Sequence, residues 1–83
     1  MNQAIQFHEA AVFDDGQGLI RLDATFNGWR IPCYFHPSWF SETKLVALQA
    51  ATLISQRQWQ MEAAIEQAIE DEALDAQGEL HFD

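Results

Sequence analysis

Acidic side chains recur at helical spacing in the second half of this chain, on what would be one face of a helix. Three glutamates lie four residues apart and three further acids follow them: Glu62, Glu66, Glu70, Asp71, Glu72 and Asp75. Like charges at this spacing destabilise a helix by ~0.2–0.5 kcal/mol per pair, and no lysine or arginine follows Arg57 to offset them. A basic protein partner or a divalent cation could neutralise these acids. The alternative is a solvated face that keeps the protein in solution.

Tryptophans provide the second candidate for an interaction surface. Trp39 lies in the predicted short helix, two residues after Pro37, and Trp59 lies on the flank of the predicted long helix. Such aromatics usually belong to a core, but Trp39 and Trp59 exposed together would form the anchor typical of a protein interface. A well-formed apolar pocket near Tyr34, Trp39 and Trp59 would instead indicate a small-ligand or metal site between sheet and helix.

Cysteine and histidine offer little chemistry in this sequence. Cys33 is the single cysteine, so it cannot form an internal disulfide, and the predicted strand register turns it inward, where a thiol behaves as a small hydrophobe with a raised pKa. His8, His36 and His81 lie on separate segments without the close spacing of a zinc site. We therefore expect surface histidines, no metal site and no cofactor.

Motifs of the common catalytic sites are missing from the sequence. It has no Gly-rich phosphate loop, no serine elbow and no metalloprotease motif. Paired carboxylates would need a pocket that drives their pKa values apart, and nothing in the pattern places these acids in a cleft. A chain of 83 residues also has a thin core. We expect no enzymatic activity.

The net charge of the chain disfavours anionic binding partners. With 13 Asp and Glu against four Lys and Arg, the formal charge is −9, the wrong sign for a phosphate backbone or an anionic membrane. No apolar run approaches the ~20 residues that span a bilayer, and Met1–Ala4 has neither the basic region nor the apolar run of a signal peptide. The expected setting is the cytoplasm, without nucleic-acid or membrane binding.

A β-hairpin is the strongest local structural signal. Asn27-Gly28 lies between two alternating runs, and this pair suits a two-residue type I′ turn, so a hairpin is predicted over about 19–36. In this register Ile20 faces Phe35, and the apolar side chains share one face. The other face is predicted to be wet and consists of Arg21, Asp23, Thr25, Arg30, Pro32, Tyr34 and His36.

Pro32 bears on how the hairpin is extended into a sheet. Its missing amide points away from the hairpin partner, which predicts that the second strand is an edge. A further strand should then pair beside 19–26, and the candidates are 5–7 and 79–82. The stretch from His8 to the turn at 14–18 is expected to be irregular. The result is an antiparallel sheet of three or four strands.

Two helices are predicted after the hairpin. Pro37 suits the first turn of a short helix over about 37–42. The segment over about 44–74 lacks Gly and Pro, and its apolar residues share one helical stripe, which predicts a long amphipathic helix. Ser55 and Gln58 have capping-box spacing that could break it, but the stripe keeps its phase through Ser55, so a continuous helix is favoured.

The predicted helix is long for so small a domain. Thirty-one residues would span about 46 Å, against a radius of gyration of about 12 Å for a domain of this size. Part of the helix should therefore overhang, bend or pack on another subunit. This length is the basis for expecting self-association through the long helix.

The complete pattern predicts a single α+β domain over 1–83, with the two helices covering the apolar face of the sheet and a short C-terminal strand at 79–82.

In four segments the chain resembles the YrdB-like family of small bacterial proteins, a domain of unknown function (DUF1488): Met1–Phe7, Asn27-Gly28 followed by Cys33, Trp59–Glu62, and Gln77-Gly78. Where family members look to have His-Arg late in the helix, this chain has Arg57-Gln58. The resemblance implies a shared fold and a bacterial cytoplasmic setting, and no activity.

Two functional hypotheses follow. The first is a small acidic cytoplasmic interaction or accessory module without catalytic activity, acting as a homodimer or with a basic protein partner. Its interaction surface would consist of Trp39, Trp59, Glu62, Glu66 and Glu70. The second is the small-ligand or metal-binding protein with a site between sheet and helix.

Overall fold

The computed structural model describes residues 5–83, and it confirms the α+β class. Met1–Ala4, which the predictions above include, lie outside the described residues. The described strands are β1 (Ile5–Gln6), β2 (Val12–Asp14), β3 (Leu19–Arg21), β4 (Ala24–Phe26), β5 (Trp29–Ile31), β6 (Cys33–Phe35) and β7 (Leu80–Phe82). A 3-10 helix covers Pro37–Phe40, and α1 covers Ala47–Glu70. The strands form two sheets in the orders β1-β4-β5 and β2-β3-β6-β7.

The predicted hairpin is present with its predicted register. Its turn has φ of 53° at Asn27 and 83° at Gly28, the positive values that a type I′ turn requires. Phe26 pairs with Trp29, and Ile20 pairs with Phe35. Each arm is split into two short strands, so the hairpin contributes to both sheets. Between the two strand pairs, the Leu22 N–H donates a hydrogen bond to the Cys33 carbonyl at 3.0 Å and joins the arms.

Replacing Gly28 with alanine is expected to lower the free energy of unfolding by ~1 kcal/mol, because an L-residue is strained at positive φ. A new Cβ would have no heavy atom within 4 Å, so the cost is conformational rather than steric. Urea denaturation measures it. The matched control is Gly16→Ala in the neighbouring turn, which lacks a positive φ and should be neutral or slightly stabilising. Equal effects of the two substitutions would contradict this account.

The prediction that the second hairpin arm is an edge is wrong. β7 pairs with β6 in parallel, with Tyr34 opposite His81 and Phe35 opposite Phe82. Pro32 lacks an N–H, but its carbonyl is free to accept, and it takes the N–H of Leu80 at 3.0 Å. A parallel pair needs a long crossover connection, and α1 lies within that crossover. The long helix therefore brings the C-terminal strand to the free edge of the second hairpin arm, where Pro32 had been expected to prevent pairing.

The N-terminal segment contributes two strands rather than one. β1 pairs with β4, as expected for a strand at 5–7. Val12–Asp14 pairs with β3, although this stretch had been expected to be irregular. Three residues before a turn are too few to show an alternating pattern, so this strand depends on its partner for its stability.

The long helix is continuous through Ser55, as favoured, but it is shorter than predicted. It has 24 residues, which correspond to a length of about 36 Å. The longest dimension of the molecule is also 36 Å, so the predicted excess length is absent and does not call for a second subunit. The short helix likewise ends early, at Phe40, because Ser41 adopts φ of 62°.

The four-stranded sheet separates its side chains into two rows. The inner row consists of Phe13, Ile20, Phe35 and Phe82, and the outer row consists of Val12, Arg21, Tyr34 and His81. The inner row belongs to one core together with Met61, Ile65 and Ile69 of α1. The helix therefore covers the inner face, and the outer row stays at the surface. Within residues 5–83, no helix combines the length and apolar character needed to cross a membrane.

Candidate functional site

Beyond Val12, the outer row of the sheet is a continuous run of stacked side chains, formed by Arg21, Tyr34 and His81. The Arg21 guanidinium donates to both oxygens of Asp23, at 2.7 and 3.0 Å, and this hydrogen-bonded contact raises the pKa of Arg21. The guanidinium carbon also lies 5.5 Å from the centroid of the Tyr34 ring. Tyr34 in turn stacks on His81 at 5.0 Å between centroids. Strand alternation predicted this polar face, apart from His81.

Two of the three histidines meet at the end of this row, contrary to the expectation from their spacing. The rings of His36 and His81 lie edge to edge with centroids 5.4 Å apart, and His36 Nε2 lies 3.1 Å from His81 Nδ1. The parallel pairing of β6 with β7 brings them together across 45 residues of sequence. Only knowledge of that pairing could have revealed the contact.

The loop before β7 adds two carboxylates to the histidine pair. Asp75 Oδ1 accepts the backbone N–H groups of Gln77 and Glu79, both at 2.9 Å. His81 Nε2 lies 3.6 Å from Asp75 Oδ2 and 3.6 Å from Glu79 Oε1. The ligand atoms of the three side chains all lie within 4.8 Å of one another. We call Asp75, Glu79 and His81 the loop triad. Sequence reasoning had placed Asp75 at the end of the acidic run and had not connected it to a histidine.

A second surface runs along α1, on the side away from the core. At about 100° per residue, five exposed residues fall within about 40° of one another around the helix axis. We call this set the outer helix face: Leu48, Thr52, Trp59, Glu66 and Glu70. Leu48 is 86% exposed and Trp59 is 85% exposed, so the apolar anchors of this face have no partner among the described residues.

The remaining predicted surface residues are placed differently. Trp39 is partly buried and packs edge-on against Phe35 at 4.8 Å and Phe40 at 4.9 Å, so it does not join Trp59 on one surface. Glu62 is half-buried and accepts a hydrogen bond from Gln58 Nε2 at 2.8 Å. Trp59, Glu66 and Glu70 are thus the predicted residues that the structure brings together.

The structure does not bring together the three aromatics of the second hypothesis. Tyr34 lies in the outer row of the sheet, Trp39 packs at the edge of the core, and Trp59 is on the outer helix face. A groove of about 520 Å³ does exist elsewhere, between the hairpin tip and the loop after α1. It is open to solvent, and Trp29 on its rim is 76% exposed.

Cys33 faces inward as predicted. Its side chain is fully buried, and its S–H donates to the Ile31 carbonyl at 3.3 Å. Burial raises the pKa of the thiol to about 12, and the charge of Asp23 adds to the effect. A thiol that stays protonated at neutral pH is a poor nucleophile.

Comparison with family models and with curated proteins gave no match for this sequence. A solved structure is similar over nearly the whole chain: the crystal structure, at 1.60 Å resolution, of a protein of unknown function from the DUF1488 family of Shewanella loihica PV-4. The two chains are 32% identical, the match covers 98% of this chain and 93% of that one, and the TM-score is 0.82. This confirms the resemblance found in the sequence. With this identity over the full fold, the chain belongs to the DUF1488 family.

Proposed function

We propose that this protein is a cytoplasmic interaction module, without catalytic activity, that binds a basic protein segment through the outer helix face. The observation that supports it is the placement of Trp59, which is 85% exposed and in line with Glu66 and Glu70. An exposed Trp beside charges of one sign is the combination expected of an interface anchor with an electrostatic flank.

The apolar part of this face can supply most of the binding energy. A tryptophan side chain buries about 150–250 Å² on full contact, and apolar burial is worth about 25 cal/mol per Å². Leu48 lies three helical turns before Trp59, about 16 Å away along the axis. A partner segment of comparable length would cover both side chains and reach the glutamates beyond them.

Charge favours a basic partner over a second copy of the chain. In an antiparallel dimer centred on Trp59, Glu70 would lie opposite Leu48, and Glu66 would lie opposite Thr52. No basic residue would then face either glutamate, and each chain has a formal charge of −9. A segment bearing lysine or arginine would instead pair with both glutamates.

Binding of a synthetic amphipathic peptide tests the proposal. The probe has leucine on one helical face and lysine on the other, and the control peptide has glutamate in place of lysine. We expect the lysine peptide alone to bind, and Trp59→Ala to weaken it by at least ~10-fold, since an interface anchor is worth about 2 kcal/mol or more. Calorimetry provides the dissociation constants.

The matched control for this variant is Trp29→Ala, which removes another exposed tryptophan from the hairpin tip. It should leave the affinity unchanged. Equal weakening by the two variants would indicate nonspecific attraction between a cationic peptide and an acidic protein, and would contradict a site on α1. Light scattering adds a second check: a concentration-dependent dimer abolished by Trp59→Ala would assign the face to a second copy instead.

Neutralising Glu66 and Glu70 should separate binding from stability. The double change to Gln removes like-charge pairs in the helix, so the free energy of unfolding should rise by ~0.2–0.5 kcal/mol per pair, while affinity for the lysine peptide and its salt dependence both decrease. Changing Asp15 and Asp83 to Asn alters the net charge equally at remote, exposed positions. If both double variants reduce affinity alike, the effect reflects net charge and the proposed face is wrong.

A further inference from the structure

We propose that the loop triad of Asp75, Glu79 and His81 binds a divalent transition-metal ion of the zinc class, with His36 orienting His81 for ligation. This site lies on the outer face of the sheet and at the loop before β7. It is separate from the outer helix face and does not depend on the function proposed for that face.

The distances suit a metal better than direct hydrogen bonds. His81 Nε2 is 3.6 Å from Asp75 Oδ2 and from Glu79 Oε1, which is too long for a hydrogen bond. Two ligand atoms about 2.1 Å from a tetrahedral zinc ion lie roughly 3.4 Å apart. His81 Nε2 thus has nearly the spacing of a coordination shell to each carboxylate, and side-chain adjustment would bring the three ligand atoms, which lie within 4.8 Å of one another, to that spacing.

The contact between the histidines suits the tautomer of His81 that leaves Nε2 free to bind a metal ion. A neutral imidazole has one N–H and one lone pair. When His81 Nδ1–H donates a hydrogen bond to His36 Nε2, across 3.1 Å, the lone pair of His81 Nε2 points toward the carboxylates. Metal-ligating histidines typically donate their other N–H in this way, which fixes the tautomer and the ring orientation. His36 is thus a positioning residue and not a ligand.

The carboxylate of Asp75 is held ready by the backbone. Its Oδ1 accepts two N–H groups within the loop, so Oδ2 is left on the side of His81. Gly78 closes this loop with φ of 78°, and a backbone bond from Asp75 N–H to the Glu79 carbonyl, at 2.9 Å, joins its ends. One face of the His81 ring stacks on Tyr34, which helps to fix its orientation. Metal binding would therefore cost little further loss of freedom in the Asp75 and His81 side chains.

Nearby charge is compatible with a cation. The Arg21 guanidinium, at the other side of Tyr34, is bound to both oxygens of Asp23, which offsets part of its charge. Among the described residues, no lysine or arginine forms a salt bridge with Asp75 or Glu79.

The donor set selects the class of metal. One imidazole nitrogen with two carboxylate oxygens suits zinc and similar divalent transition metals, whereas magnesium and calcium prefer six or more oxygen ligands. Three protein ligands leave the fourth position of a tetrahedral zinc ion for water or for a group of another molecule.

Calorimetric titration with zinc chloride tests the site. The protein carries no histidine tag and is first treated with a chelator and dialysed. We expect one zinc ion per chain and a much weaker response to magnesium. His81→Ala should abolish specific binding, and Glu79→Gln should weaken it by at least ~10-fold. The matched control is His8→Ala, since His8 is exposed and outside the triad. Circular dichroism verifies that each variant is folded.

Loss of a group that hydrogen-bonds to a metal ligand typically lowers metal affinity by 10–100-fold, and this is the loss expected for His36→Ala. His36→Gln should recover part of it, because the amide oxygen can accept the same N–H. Absence of zinc binding in the native protein would overturn the proposal, and so would equal affinity in His81→Ala. A loss in His36→Ala that His36→Gln does not reduce would overturn the positioning role.

Discussion

Replacing Phe35 with alanine is expected to lower the free energy of unfolding by ~3–5 kcal/mol, the usual cost of removing a buried aromatic ring. Phe35 is fully buried in the inner row of the sheet. It stacks on Phe82 with centroids 4.4 Å apart and contacts Trp39 edge-on at 4.8 Å. One ring therefore joins the hairpin, the C-terminal strand and the 3-10 helix. Since a domain is stable by only about 5–15 kcal/mol, this loss could leave the fold marginal.

Urea denaturation followed by circular dichroism measures the effect. Trp59→Ala is the matched control, because it removes a larger aromatic side chain from a position that is 85% exposed and should change stability by no more than about 0.5 kcal/mol. A cost below about 1 kcal/mol for Phe35→Ala would mean that the core is not organised around this ring. The same control establishes that any loss of peptide binding in Trp59→Ala is not a loss of folding.

Alkaline pH should destabilise the native protein through Cys33. Burial raises the pKa of its thiol from 9.0 to about 12. Between these values the unfolded chain loses the thiol proton while the folded chain retains it, so the unfolded state binds fewer protons. The free energy of unfolding therefore falls as pH rises, by about 1.4 kcal/mol per pH unit once pH is well above 9. The stability that the protonated Cys33 thiol gives the folded state is complete below pH 9. By pH 10.5 the free energy of unfolding has fallen by about 2 kcal/mol.

Comparison with Cys33→Ala isolates this effect, because tyrosine, lysine and the other groups titrate in both proteins. The alanine variant should be less stable at neutral pH, since it loses buried atoms. The stability advantage of the native protein should then shrink steadily between pH 9 and 10.5. A constant difference over that range would show that the thiol is not held protonated by the fold.

Local sequence determined a large part of this fold. Asn27-Gly28 specifies the type I′ turn, because few other pairs adopt two successive positive φ values at low cost. Alternation along each arm then sets which side chains face inward, which placed Cys33 in the core and Tyr34 outside. The absence of Gly and Pro over 44–74, with one apolar stripe, specifies a continuous helix. All of these features depend on neighbours within a few residues.

The candidate surfaces were only partly accessible to the same reasoning. Trp59, Glu66 and Glu70 share a helix face by periodicity alone, and the structure keeps them together. Periodicity does not predict which of these side chains is buried. Trp39 packs on Phe35, whereas Trp59 is exposed to solvent. What separates them is the sheet onto which each helical segment packs, and no local pattern contains that information.

Tertiary structure alone decided the pairing of the C-terminal strand and everything that depends on it. β7 pairs with β6 across the whole crossover that contains α1, so the register of Tyr34 with His81 is a long-range contact. The loop triad and the histidine pair exist because of that register, and their residues are remote from His36 in sequence. The sequence by itself thus determined the turns, the helix and the inward or outward direction of side chains. The tertiary structure decided which distant side chains meet, because the free energy that selects a partner strand comes from the shared core and not from the strand itself.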